Sequence, residues 1–157
     1  MLKGVREKIF RRGRKPEKKN IAVFVDGPNI LRKELQVDLD EVKKTLRVFG
    51  NIKIGKVFLN QYASNKLIEA VANQGFEAVI TVGDVDVSMA VEATDAIFNP
   101  IISAIAFVTR DSDFLPAVIK AKQHGKDTIV VLAEEASAAA LKNTADHIII
   151  LRKHSSR

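Results

Sequence analysis

The stretch Ile21-Ala22-Val23-Phe24-Val25-Asp26-Gly27-Pro28-Asn29 decides the architecture of this chain. Residues 21–25 are a short, uninterrupted apolar run rich in β-branched and aromatic side chains, the pattern of a strand buried on both faces. Gly27-Pro28 is a turn signal, so the run stops with Asp26 at its carboxyl end. A strand covered on both faces belongs to a parallel sheet with helices packed on either side.

The flanking sequence repeats that plan. Residues 52–59, 76–82, 104–109, 127–132 and 147–151 read as further strands, separated by segments of helical period. Asp38 or Asp40 caps a helix reaching about Phe49, which Gly50-Asn51 stops; Ser64 caps one through Ala72 that ends at Gly75. Asp84 or Asp86 opens a third, broken at Asn99-Pro100, and residues 114–123 form a fourth with Pro116 tolerated in its first turn. Residues 136–142 form a last, short helix. The fold class is therefore α/β, a mainly parallel sheet of about five to six strands between two helical layers. Right-handed crossovers place every strand-to-helix loop on one edge of such a sheet.

With 157 residues and 46% hydrophobic content, the chain suits one domain with a real core. It contains no Cys, which excludes disulfides, zinc-thiolate sites and cysteine nucleophiles. His124, His147 and His154 follow no zinc-binding spacing, so any metal must be a hard ion held by oxygen. No apolar run approaches the roughly 20 residues of a membrane span, and a soluble, cytoplasmic protein is expected. The formal charge of +6 is concentrated: residues 1–19 carry nine Lys or Arg against two Glu, leaving the remainder at −1. Residues 1–19 are thus expected to be a flexible basic arm, 20–152 the domain and 153–157 a tail. Arg11, Arg12, Arg14 and Lys15 are the arm's candidate contacts to a nucleic-acid backbone, since cationic arms bind phosphates with little sequence dependence; a solubilising tail or a contact to anionic lipid is the alternative.

Carboxylates gather at the loops that share one edge. Asp26 follows the first strand, Asp84 and Asp86 follow the third, and Asp111 and Asp113 follow the fourth. An isolated Asp at such a place is often a turn or helix cap, but a pair such as Asp111-Ser112-Asp113 exceeds what one cap requires. Carboxylates brought together repel, and Mg²⁺ or Mn²⁺ would offset that cost. In open α/β sheets the crevice outside the strand carboxyl ends is where ligands bind. On the helix after Asp84, Asp86 falls toward the apolar face with Met89, Ala90 and Ala93, whereas Glu92 and Asp95 are expected to face solvent, with Glu92 an outer member of the site at most.

Three motifs together resemble the NYN domain family of PIN-like nucleases, close to its LabA-like group: Phe24-Val25-Asp26-Gly27-Pro28-Asn29, Val85-Asp86-Val87 with Glu92 six residues on, and Val108-Thr109-Arg110-Asp111-Ser112-Asp113-Phe114 followed by Gly125-Lys126. The resemblance implies a Rossmann-like, PIN-like three-layer sandwich and metal-dependent ribonuclease activity. By position it implies Asp26, Asp86, Asp111 and Asp113 as catalytic metal ligands and Asn29 as the polar partner beside Asp26. Glu92, Asp84 and Thr109 become outer members, and Arg110 and Lys56 candidate phosphate contacts. Glu92 stands where many relatives carry Asp, and Arg110 where the family's motif has a small Gly.

The expected chemistry is phosphodiester hydrolysis with Mg²⁺ or Mn²⁺, and the expected partner is RNA, with no membrane and no small-molecule cofactor; a homodimer is compatible with the sequence. The alternative is a non-catalytic RNA-binding or regulatory module. A phosphomonoesterase of the haloacid dehalogenase type needs Asp-x-Asp after the first strand, and position 28 is Pro. Dinucleotide binding lacks its G-x-G-x-x-G after that strand.

Overall fold

The structure, a computed structural model, describes residues 18–31, 38–110, 112–133 and 139–151. Most of the expected basic arm, including Arg11, Arg12, Arg14 and Lys15, lies outside the described residues, as does Asp111. In chain order the elements are β1 (Lys19–Asp26), α1 (Gly27–Ile30), α2 (Leu39–Leu46), β2 (Gly50–Asn60), α3 (Asn65–Asn73), β3 (Glu77–Thr81), α4 (Val85–Ile97), β4 (Ala104–Val108), a single 3₁₀ turn (Ser112–Phe114), α5 (Leu115–Gln123), β5 (Asp127–Leu132), α6 (Ala139–Thr144) and β6 (His147–Ile150). No helix among the described residues is long and apolar enough to cross a membrane.

The strands form one six-stranded sheet in the order β3-β2-β1-β4-β5-β6, and every pairing is parallel. β1 is central, with Val25 opposite Val57 of β2 on one side and Val108 of β4 on the other. Its side chains alternate between two cores, as strand pleating requires. Ile21, Val23 and Val25 enter a layer with Ile30, Leu39, Val42 and Leu46, together with Val71 of α3. Ala22 and Phe24 enter the other, against Met89 and Ala93 of α4, Val118 and Ala121 of α5, and Leu141 of α6. Aromatic rings line that second layer: Phe24 lies 6.3 Å from Phe58 and 6.2 Å from Phe107, which lies 6.3 Å from Phe114. These spacings suit offset or tilted ring contacts.

The helix starts follow from short polar side chains. Asp38 accepts from the amide of Asp40 at 2.8 Å, Ser64 from Leu67 at 3.1 Å and Asp84 from Asp86 at 2.9 Å. Pro116 lies in the first turn of α5 as expected.

Two expectations are corrected. Gly50, expected to stop a helix, begins β2: a Cβ there would overlap the carbonyl oxygen of Lys19 in β1. The turn expected at Gly27-Pro28 is a one-turn helix whose Ile30 is buried. Both places were misread because close approach between neighbouring strands is invisible in local sequence.

The outermost strand β6 pairs only with β5 and is tied down from the loop before it. The Asp146 carboxylate accepts from the amide of Thr128 at 3.0 Å and from its hydroxyl at 2.9 Å, while that hydroxyl accepts from the Asp146 amide at 3.0 Å. Burial pushes the Asp146 pKa up, but the Thr128 hydrogen bonds and the Lys122 ammonium outweigh it, and the net shift is downward. A carboxyl with a lowered native value stabilises fully above its unfolded value of about 3.9, and that contribution is lost as pH falls through the native value. Asp146→Ala should lower stability by about 1–2 kcal/mol at pH 7 and show a smaller further loss than the parent between pH 7 and pH 3, read by urea unfolding.

Candidate functional site

From β1 the chain runs outward through β2 to β3, and from β4 outward the other way through β5 to β6. The sheet therefore changes direction between β1 and β4, and the crevice beyond their carboxyl ends is the place where parallel α/β sheets bind ligands. Asp26 ends β1 at that point, and Thr109 directly follows β4.

Register brings the two together. Val25 pairs with Val108, so Asp26 and Thr109 stand next in line on adjacent strands, and alternation from Phe24 and Phe107 turns both toward the α4 and α5 layer. The Thr109 hydroxyl donates to Asp26 Oδ2 at 3.3 Å. Asn29, carried back by the one-turn helix α1, donates its Nδ2 to the same oxygen at 2.7 Å. Asp26 and Thr109 are both fully buried. A buried carboxylate is costly in a hydrophobic core, and polar donors are what make it tolerable.

Gly27 sets the direction in which the chain leaves β1. A Cβ on Gly27 would overlap the carbonyl oxygen of Phe58 and lie 2.6 Å from Cδ2 of Leu59, so only glycine lets α1 fold against β2. The Asp-Gly pair of the first motif thus has two separate reasons: the carboxylate belongs to the crevice, the glycine to packing.

Asp84, Asp86 and Asp113 come to the same edge around the starts of α4 and α5. Asp84 is the N-cap of α4, a structural use that accounts for its place there. Asp86, in the first turn of α4, is half-buried on the side of Met89 and Ala93, as its position in the helical period required. Asp113 is exposed in the 3₁₀ turn whose Phe114 is buried beneath α5. Arg110 is half-buried beside Thr109.

Glu92 and Lys56 differ from expectation. Glu92 is not simply solvent-facing: it is half-buried, and its carboxylate lies 2.8 Å from Lys56 Nζ. Six residues beyond Asp86 on a helix is a rise of about 9 Å, away from the crevice and toward the middle of the sheet. Lys56, opposite Phe24 in the register, points to the same layer and meets it there. The hydrogen bond to Glu92 holds the Lys56 ammonium above the usual lysine range against the opposing effect of burial. Lys56 is therefore engaged by Glu92 rather than offered to a phosphate.

The donor chemistry on this edge is all oxygen. The two described imidazoles, His124 at the end of α5 and His147 at the start of β6, lie at the opposite edge. Hard divalent cations fit such a donor set. Among the described residues, no three acidic or imidazole groups form a cluster that could hold an ion.

The NYN domain model matches residues 20–152. An uncharacterized protein of Methanocaldococcus jannaschii is 56% identical over 149 residues, covering 94% of this chain; the chain spans 62% of that relative's length. The crystal structure of a protein of unknown function from Vibrio parahaemolyticus is similar in fold, with a TM-score of 0.77 at 19% identity over 89% of this chain and 97% of that one.

The packing at Gly27 carries a direct test. Gly27→Ala should cost about 3 kcal/mol, the upper end for overpacking, because strand backbone must move. Gly55→Ala, whose Cβ would meet the Phe76 ring at 3.0 Å, should cost clearly less. Urea unfolding of both variants checks the order.

Proposed function

The chain belongs to the NYN domain family, and from that premise we propose that it is a ribonuclease dependent on a divalent metal, acting on RNA phosphodiester bonds at the acidic edge of its sheet. The observation that carries the proposal is the buried Asp26 carboxylate at the direction change of the sheet, oriented by Asn29 and Thr109, with Asp86 and Asp113 presented on the same edge. That family has a PIN-like nuclease fold, and the parallel six-stranded sheet agrees with it.

Asp26, Asp86, Asp111 and Asp113 would hold the ion, Mg²⁺ or Mn²⁺. When bound, such an ion supplies a nucleophile from water at neutral pH and neutralises charge on the phosphate under attack. Asn29 and Thr109 fix the Asp26 carboxylate by donating to one of its oxygens, which sets the direction of the group as a ligand. Arg110, beside Thr109, is the basic side chain placed to contact a phosphate of the strand, and Arg11, Arg12, Arg14 and Lys15 would bind its backbone in a salt-dependent way. Asp84 acts through the start of α4, holding the turn from which Asp86 projects. Glu92 contributes by holding Lys56 rather than by touching the ion.

A second reading, a non-catalytic RNA-binding module, is favoured by one observation: the described carboxylates do not by themselves make a three-group cluster. The two readings part on Asp111, which the first requires as a ligand.

In an assay of RNA cleavage with Mn²⁺, Asp26→Asn and Asp111→Asn should each reduce the rate at least about 100-fold, and Thr109→Val about tenfold, the scale seen when a partner of a metal ligand is lost. Glu92→Gln should stay within about threefold, since it breaks only a partly exposed ion pair. Absence of metal-dependent cleavage with several RNAs, alongside retained RNA binding, would establish the second reading instead.

A further inference from the structure

The opposite edge of the sheet carries a pocket of about 430 Å³, bounded by the start of β2, the end of α2 and the turn between α3 and β3. Its volume falls in the range of small-molecule sites, which is roughly 300–1,000 Å³. Lys18, Lys43 and Arg47 line it, and among the described residues no carboxylate does. Asp40, on the same helix as Lys43 and Arg47, is paired with Lys44 at 2.9 Å and lies 4.0 Å from Lys43.

The three cations are unequally committed. Lys43 Nζ donates to the carbonyl oxygen of Gln74 at 2.6 Å, which holds its charge in place at the wall of the pocket. Among the described residues, the side chains of Lys18 and Arg47 have no hydrogen bond and no ion pair. Ile52 and Phe76 supply an apolar wall, and Asn51 an exposed amide. A basic residue near a helix end can simply complement the helix dipole, and that explains Lys43 and Arg47 at the end of α2. It does not explain Lys18, which arrives from before β1, nor the concavity the three share.

We propose that this pocket is a binding site for a nucleotide phosphate, with Lys18 and Arg47 on the phosphate, Lys43 setting the local charge and the attached nucleoside against Ile52 and Phe76. The pocket is larger than a phosphate alone requires, and its apolar wall suits a group carried by the phosphate. The ligand is either a free mononucleotide or one unit of an RNA strand. The proposal does not rest on the acidic edge being a nuclease site.

The test uses the full chain in EDTA, where the uncompensated carboxylates of the other edge repel anions, and follows backbone amide resonances. Titration with AMP, and separately with a five-nucleotide single-stranded RNA, should shift the amides of Asn51, Ile52, Gln74 and Gly75. A response to AMP identifies a mononucleotide site, and a response to the RNA alone identifies a strand subsite; either supports the proposal. Lys18→Ala/Arg47→Ala should weaken binding about tenfold or more with the remaining spectrum unchanged, while Asp26→Asn should leave it intact. Shifts confined to residues 1–17 or to the acidic edge, unaltered affinity in the double variant, or no shift with either probe would overturn it.

Discussion

Placing a carboxylate at zero exposure on the end of the central strand is the constraint on which the rest of this molecule depends. Asp26 is surrounded by strands on both sides, so its tolerance rests on what the neighbouring turns bring to it. Thr109 arrives through the parallel register of β1 with β4, and Asn29 arrives because Gly27 lets the chain fold back at once over β2. Thr109 would not reach Asp26 if β1 and β4 were not adjacent, and their adjacency is what makes the sheet change direction there. Fold and candidate site are one arrangement seen at two scales.

Asp26, Asp86 and Asp113 stand at one edge of the sheet, and Lys18, Lys43 and Arg47 line a pocket at the other. Helices that follow parallel strands begin at the carboxyl edge and end at the other, so helix N-termini face the acidic edge and C-termini face the basic pocket. Each end of the helix layer thus partly offsets the side chains gathered there, which helps a fold carry strong local charge without a ligand. The dipoles are too weak to cancel several formal charges, and the proposed divalent cation and nucleotide phosphate would offset the remainder.

Much of this was legible from residue pattern, and the failures have a common cause. Short apolar runs marked β1, β4 and β5, because burial on both faces leaves little freedom in composition, while alternation of apolar and polar residues marked β2. Asp38, Ser64 and Asp84 announced their helices, since capping is a contact within two or three residues. Contacts made across the fold were not visible. Glu92 on α4 finds Lys56 on β2, Gly27 and Gly50 are required by the backbones of neighbouring strands, and Lys18 from before β1 meets Lys43 and Arg47 from the end of α2. For that reason a pocket lined by three cations was not legible from the charge count along the chain.

The most direct measurement of the central claim is the position of a Mn²⁺ ion, found by anomalous diffraction from crystals soaked in Mn²⁺. The expected result is an ion coordinated by Asp26 and Asp111, with Asn29 still on Asp26 and Glu92 still on Lys56. An ion bound elsewhere, or a crystal in which Asp26 and Asp111 remain unligated at millimolar Mn²⁺, would contradict it.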